Sequence, residues 1–221
     1  MNSDSVILEA RGIQLRRGGR TTLAVPHLAV MAGEVLALVG PNGAGKTTLL
    51  LTLAGLLQPG AGTILFKGRE LASRAAALAY RRSIAVVFQE SLLLATTVYH
   101  NVAMGLKLRG VPAREIKRTV PLMLSRFRIA DLADRSGRSL SGGEAQRASL
   151  ARAFVLNPRI VFLDEPFASL DPPTREALLQ DLAGAIAETR TTVVFATHHQ
   201  DEALRLADRM AVMRGGAVVQ I

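Results

Sequence analysis

The sequence predicts an α/β protein: a parallel or mixed sheet carrying a phosphate-binding loop, with an N-terminal antiparallel β subdomain and an inserted α-helical subdomain. Three observations predict it. Apolar runs of buried-strand length recur at 35–39, 84–88, 160–163 and 192–196, with helical stretches between the later ones. A Gly-rich segment at 40–47 follows the first run and opens a helix. Between 90 and 155 the pattern turns helical, with Pro112 and Pro121 as punctuation.

Residues 6–39 alternate short apolar stretches with turn signals at Arg17-Gly18-Gly19-Arg20 and Met31-Ala32-Gly33, which predicts a small β meander running into a buried strand. Residues 48–57 carry leucines all round, as a helix packed on a sheet should, and Pro59-Gly60 with Gly62 end it. Strands follow at 64–66 and 84–88, separated by a polar, Ala- and Arg-rich stretch around 71–80. After the helical insertion come a strand at 160–163, a helix at 173–188, a strand at 192–196 and a helix near 200–207. A hairpin of 210–213 and 218–221, turned at Gly215-Gly216, closes the series.

A chain of 221 residues can bury one substantial core but not two. With 49% apolar and 20% charged residues it should be globular. No apolar run reaches the ~18 residues that span a bilayer. Met1-Asn2-Ser3-Asp4-Ser5 lacks the basic and apolar regions of a signal peptide, so the expected compartment is the cytosol. Zero cysteines exclude disulfides and thiolate metal sites. The formal charge of +9 is nearly all arginine and suits phosphates or an anionic membrane face as well as plain solvation. Only 4% aromatics and no Trp leave little for stacking on bases, so no nucleic-acid partner is expected.

Gly40, Pro41, Asn42, Gly43, Ala44, Gly45, Lys46 and Thr47 match G-x-x-x-x-G-K-T, the P-loop, between an apolar strand and a helix. Gly43 and Gly45 let backbone N–H groups converge on phosphate oxygens. Lys46 neutralises the β and γ phosphates, Thr47 is placed to ligate Mg²⁺, and Thr48 adds a hydroxyl near the α phosphate. A merely structural turn would not need the lysine. Downstream, Leu140-Ser141-Gly142-Gly143-Glu144 is a second Gly-rich turn opening a helix, hence a second donor cluster for the same anion.

The strand at 160–163 delivers Asp164 and Glu165 at its C-terminal end, where α/β sheets place ligand chemistry. Asp164 can hold Mg²⁺ through water and Glu165 can polarise the attacking water as general base. An acidic pair in that place is often only a solvated turn; the phosphate loop is what argues for function. Gln89, after the strand at 84–88, is suited to touch both Mg²⁺ and the nucleophilic water. His198, after the strand at 192–196, can donate to the γ phosphate. By themselves a glutamine at a strand end and an exposed histidine signify nothing.

In this order and spacing, the phosphate loop, Gln89, Leu140-Ser141-Gly142-Gly143, Asp164-Glu165, Ser169-Leu170-Asp171 and His198 resemble the ATP-binding-cassette ATPases nearly end to end. The resemblance implies one P-loop NTPase domain, with 1–89 and 156–221 forming the nucleotide-binding core and β subdomain and 90–155 the helical subdomain carrying the signature. It also implies two copies packed head to tail, each ATP held between one copy's Lys46 loop and the other's Ser141, Gly142 and Gly143, with Asp171 communicating across the interface. A groove near Gln89 would accept a helix of an integral membrane permease, with Leu92, Leu93, Leu94, Val98 and Tyr99 as candidate lining. Packing inside the helical lobe is the other reading of those five.

Three positions depart from the family pattern: Arg17 stands where many members stack an aromatic on adenine, Glu144 where Gln is commoner, and His199 where Asp usually follows the histidine. The implied function is the ATP-hydrolysing subunit of a transporter, lying peripherally on the inner membrane face and indirectly served by a solute-binding protein. Import is expected, and the wording around 97–107 and 170–175 is similar to importers of tungstate or molybdate. An end at Ile221 leaves no room for the C-terminal regulatory domain some importer ATPases carry. The alternative is a soluble ATPase of cofactor assembly, or a binding module without turnover, although Lys46, Asp164 and Glu165 are all intact.

Overall fold

A computed structural model describes residues 5–18, 20–168 and 170–221, without the side chains of Arg17 and Arg20. The chain falls into two compact units. The first comprises 1–86, 159–165 and 190–221; the second comprises 87–158 and 166–189.

The first unit holds two sheets. Strands β1 (Val6–Arg17) and β2 (Arg20–Met31) form a long antiparallel hairpin. With β4 (Ala61–Phe66) and β5 (Arg69–Glu70) they make a four-stranded sheet in the order β2-β1-β4-β5. The meander expected from short runs is thus a pair of twelve-residue strands. Gly12 explains the difference: at φ 61 it absorbs an irregularity in the β1–β4 register, so the strand kinks and continues instead of ending.

The second sheet takes β3 (Val35–Val39), β6 (Ile84–Val87), β7 (Ile160–Asp164), β8 (Thr192–Thr197), β9 (Arg209–Arg214) and β10 (Ala217–Gln220). Their order is β10-β9-β3-β8-β7-β6. The pairs β3–β8, β7–β8 and β3–β9 are parallel, and β9–β10 is an antiparallel hairpin. Every residue of β3, β7 and β8 is buried, which is why their sequences are unbroken apolar runs rather than alternating ones.

Helix α1 (Lys46–Leu53) packs Leu49, Leu50 and Leu53 into one core with Leu36, Leu38, Phe162 and Val194. Fully burying each leucine contributes about 1.5–3 kcal/mol, so the loop preceding α1 is attached to the best-packed part of the unit. α1 stops sooner than its leucines suggest because Gly55 adopts φ 67 just after Ala54 caps the helix. The polar stretch before β6 is α2 (Arg74–Ser83), capped by Ser73, whose hydroxyl accepts from Ala76 N at 3.1 Å. Only Tyr80 of α2 is buried, so the helix adds little to the core. The last helix of this unit, α7 (Gln200–Leu206), follows β8.

The second unit contains α3 (Val98–Leu108), α4 (Ala113–Arg126), α5 (Gly142–Phe154) and α6 (Pro172–Thr189). Pro121 sits inside α4 instead of ending it. It lies on the exposed side, away from buried Ile116, Val120 and Leu124, so the carbonyl it leaves unbonded faces water. Asp181 of α6 accepts from Arg128 Nε at 2.9 Å and pairs with Arg147 of α5, while the rings of Phe127 and Phe154 pack at a tilt with centroids 5.7 Å apart. Asn101, fully buried in α3, accepts from Leu94 N at 2.7 Å and donates to the carbonyls of Leu94 and Thr97, which fixes the segment before α3. Among the described residues no helix is long and apolar enough to cross a membrane.

Candidate nucleotide site

The loop between β3 and α1 is built by what it packs against. A Cβ on Gly40 would lie 2.4 Å from Met213 O, and one on Gly45 would lie 3.3 Å from Gly216 Cα. The C-terminal hairpin β9–β10 therefore presses on the loop, and Gly216 N donates to Ala44 O at 3.0 Å. Gly43 and Gly45 take φ 78 and 97, a region that side chains resist. The first intrahelical bond recorded at this end of α1 runs from Leu49 N to Gly45 O at 2.8 Å. The amides of Lys46, Thr47 and Thr48 precede it, and they form the anion-facing end of the helix.

Lys46 is 5% exposed; its Nζ donates to Gly40 O at 2.8 Å and Pro41 O at 3.2 Å and lies 3.4 Å from Glu165 Oε1. Its ammonium is thus held at the mouth of the loop by the backbone it serves. The Thr47 hydroxyl donates to Asp164 Oδ1 at 2.8 Å. Burial pushes the Asp164 carboxyl above its ordinary range and the neighbouring Glu165 charge adds to this, while the Thr47 bond and Lys46 pull the other way.

Glu165 follows β7 at φ 46, an uncommon backbone conformation for a glutamate, and its N–H donates to Ala196 O of β8 at 3.0 Å. Strain of this kind turns the side chain toward His198, whose Nδ1 is 2.5 Å from Glu165 Oε2. A carboxylate only accepts, so the ring carries its proton on Nδ1 and leaves Nε2 for another partner. Lys46, Thr47, Asp164, Glu165 and His198 accordingly form one cluster in the first unit. Thr197 and Glu202 adjoin it, joined by a hydrogen bond, and a threonine at the end of an apolar strand is the one sequence signal for them.

Gln89, Ser141, Gly142, Gly143 and Asp171 all belong to the second unit. Gln89 is exposed, two residues beyond the end of β6. Ser141 caps α5 in a reciprocal box: Glu144 N donates to Ser141 Oγ at 3.4 Å and Ser141 N donates to Glu144 Oε2 at 2.7 Å. Those bonds from Ser141 hold the Glu144 carboxyl below its ordinary range, with Arg135 assisting. Asp171 Oδ2 accepts from Thr174 N at 3.2 Å, and Ser141, Gly143, Asp171 and Thr174 line one pocket.

Ser169 and the Arg17 side chain, for which stacking on adenine is expected, lie outside the described residues. Of the apolar residues after Gln89, Val98 is fully buried, Leu93 and Tyr99 are half-buried, and Leu92 and Leu94 are exposed.

Comparison with known proteins agrees with this geometry. The family described as ABC transporter matches residues 23–168. The sulfate/thiosulfate import ATP-binding protein CysA of Caulobacter vibrioides is 40% identical over 96% of this chain and 63% of its own length. The spermidine/putrescine import ATP-binding protein PotA of Nitrosomonas europaea is 40% identical over 97% of this chain and 59% of its own. The chain therefore spans less than two thirds of these curated relatives. The tungstate uptake system ATP-binding protein TupC of Peptoclostridium acidaminophilum is 37% identical over 91% of both chains. Among solved structures, cbiO1 of Clostridium perfringens, part of the ABC transporter complex cbiONQ, superposes with a TM-score of 0.91 at 32% identity, covering 98% of this chain and 88% of that one. A phosphate loop, an acidic strand end and a signature turn in the family's order, with the family match across most of the chain, leave one assignment: the chain belongs to the ABC transporter family.

Proposed function

We propose that this chain is the ATP-hydrolysing, nucleotide-binding subunit of a membrane importer, lying on the cytoplasmic face through an integral membrane permease. The observation that carries the proposal is Glu165, held between the Lys46 ammonium and the His198 imidazole beside the Thr47–Asp164 pair. We assign to this carboxylate the role of taking the proton of a water attacking the γ phosphorus. The bond from that phosphorus to the β–γ bridging oxygen then breaks, releasing ADP and phosphate.

The Lys46 ammonium and the first amides of α1 bind the triphosphate and stabilise the charge that develops on it. His198 meets the γ phosphate through Nε2 while Nδ1 stays on Glu165. The Thr47 hydroxyl and Asp164 carboxylate are hard oxygen donors 2.8 Å apart, a set that suits Mg²⁺ with water completing its shell. Mg²⁺ there would neutralise phosphate charge as a Lewis acid.

ATP joins two copies head to tail, one supplying the Lys46 loop and the other Ser141 and Gly143. Hydrolysis releases them, and that cycle drives the permease. The cargo class we propose is an oxyanion delivered by a solute-binding protein, in line with the sulfate and tungstate relatives. Relatives named for spermidine/putrescine and methionine match at similar identity, which is why cargo is assigned to the binding and membrane partners.

The test is ATP turnover by the purified chain. Glu165→Gln is expected to keep ATP binding, lose phosphate release and accumulate as an ATP-bound dimer by light scattering. A parent chain that binds but never cleaves ATP, or a variant that turns over like the parent, refutes the reading. Tungstate or sulfate with the genomically adjacent binding protein and permease should stimulate turnover in vesicles, whereas polyamines should not.

A further inference from the structure

Building on that functional reading, we propose that Thr197 and Glu202 are positioning residues for His198. Together they form a buried clamp that fixes the turn between β8 and α7 and so aims the imidazole at Glu165. Thr197 is the last residue of β8 and is fully buried; Glu202 lies in the first turn of α7 and is 4% exposed. The Thr197 hydroxyl donates to Glu202 Oε2 at 2.5 Å and accepts from His199 N at 3.0 Å. One hydroxyl therefore ties the strand end to the helix and to the residue just after His198.

The need for the clamp follows from His198 itself. It is an exposed side chain on a two-residue connection, and its hydrogen bond to Glu165 is short. Its ring packs at a tilt against His199 with centroids 4.0 Å apart, so a turn free to rotate would carry both rings away together. The clamp shares its anchor with the partner carboxylate: Glu165 N donates to Ala196 O, one residue before Thr197. Val39, the residue before the phosphate loop, is in register with Thr197 across β3 and β8. The base, the histidine turn and the start of the loop are thus referred to the same two strand residues. A shift of about 1 Å at a reacting group costs up to 10²-fold in rate, so the precision of this turn bears on catalysis.

The experiment compares Thr197→Val, which keeps shape and removes the hydroxyl, with Thr197→Ser, which keeps the hydroxyl, each alone and with His198→Ala. Thr197→Val is expected to lower kcat for ATP roughly tenfold with KM within about twofold, and Thr197→Ser to stay near the parent. On His198→Ala, Thr197→Val should cause no further loss, because it acts through the histidine. Equal losses in Val and Ser variants, an unchanged kcat in Thr197→Val, or a full additional loss on His198→Ala overturns the proposal. Should Thr197→Val fail to fold, Glu202→Ala, which removes the acceptor and leaves the strand intact, is read against the same outcomes. A parent chain without turnover refutes the functional reading alone. The clamp is then judged on the His198 ring signals in NMR, which must move in Thr197→Val and hold in Thr197→Ser.

Discussion

The Thr47 hydroxyl donates to Asp164 Oδ1 at 2.8 Å, joining the phosphate loop to a strand end 117 positions away. Asp164 is only 6% exposed, and burial raises its titration above the ordinary 3.8. A raised carboxyl lowers stability wherever the folded chain must hold it ionised. The penalty is full above the folded value, shrinks as pH falls through it, and is absent below 3.8. Asp164→Asn keeps the acceptor for Thr47 and removes the charge. The nucleotide-free variant should melt above the parent at neutral pH, with the gap closing under acid in a calorimetric series. Turnover with Mg²⁺ and ATP should fall by at least about 100-fold. A variant that melts lower at neutral pH contradicts this account of the site.

Lys46 Nζ donates to the carbonyls of Gly40 and Pro41 and lies 3.4 Å from Glu165 Oε1, which holds its charge at the mouth of the phosphate loop. Hydrogen bonds to charged groups contribute about 1.5–3 kcal/mol, so Lys46→Ala should weaken ATP binding about 10- to 100-fold by isothermal calorimetry. Affinity within threefold of the parent would show that the loop amides carry the binding alone.

Glu144 departs from the commoner glutamine, yet its carboxylate is occupied by Ser141 N and lies 3.5 Å from Arg135. Glu144→Gln keeps an acceptor for Ser141 N and should leave stability within about 0.5 kcal/mol, whereas Glu144→Ala loses one arm of the box and should cost about 1 kcal/mol. The carboxyl is held below the ordinary 4.5, so its contribution is complete above that value and disappears as pH falls through the lower folded one. Denaturant titrations near neutrality and under acid read both effects; a glutamine variant as weak as the alanine one would place the role of Glu144 in its charge.

The parallel strands were legible because burial on both faces writes itself as unbroken apolar runs, as at Ile160–Asp164 and Thr192–Thr197. Lys46 and Thr47 at the opening of a helix, and Asp164 and Glu165 at a strand end, were legible as candidates because phosphate chemistry uses those groups in those places, and the structure gathers them with His198. Two kinds of feature stayed hidden. Helix α2 buries only Tyr80, so its alanines and arginines read as a polar stretch, and the cap by Ser73 is a weak signal among other serines. The Thr197–Glu202 contact pairs a strand residue with a helix residue five positions on, a spacing that belongs to no regular period. The clash of Gly40 with Met213 O is equally invisible, since it depends on the C-terminal hairpin folding back on the loop.

Gly143 of the signature turn faces Thr174 at the start of α6: a Cβ at Gly143 would lie 2.6 Å from Thr174 Cγ2. A side chain at Gly143 would therefore have to displace the Thr174 methyl within the second unit, besides meeting any nucleotide there. Overpacking of this kind costs about 1–3 kcal/mol, and Gly143→Ala should be destabilised by that amount in denaturant unfolding. Thr174→Ala removes the obstructing methyl while leaving the backbone N–H that donates to Asp171. In the Gly143→Ala background it should return most of the lost stability, a coupling that the double-mutant cycle isolates. Restored stability with ATP-driven dimerisation still absent would separate the two demands on Gly143, since the added methyl then obstructs only the partner's phosphate. Failure of Thr174→Ala to restore any stability would mean that the turn yields elsewhere, and that the glycine answers to the nucleotide alone.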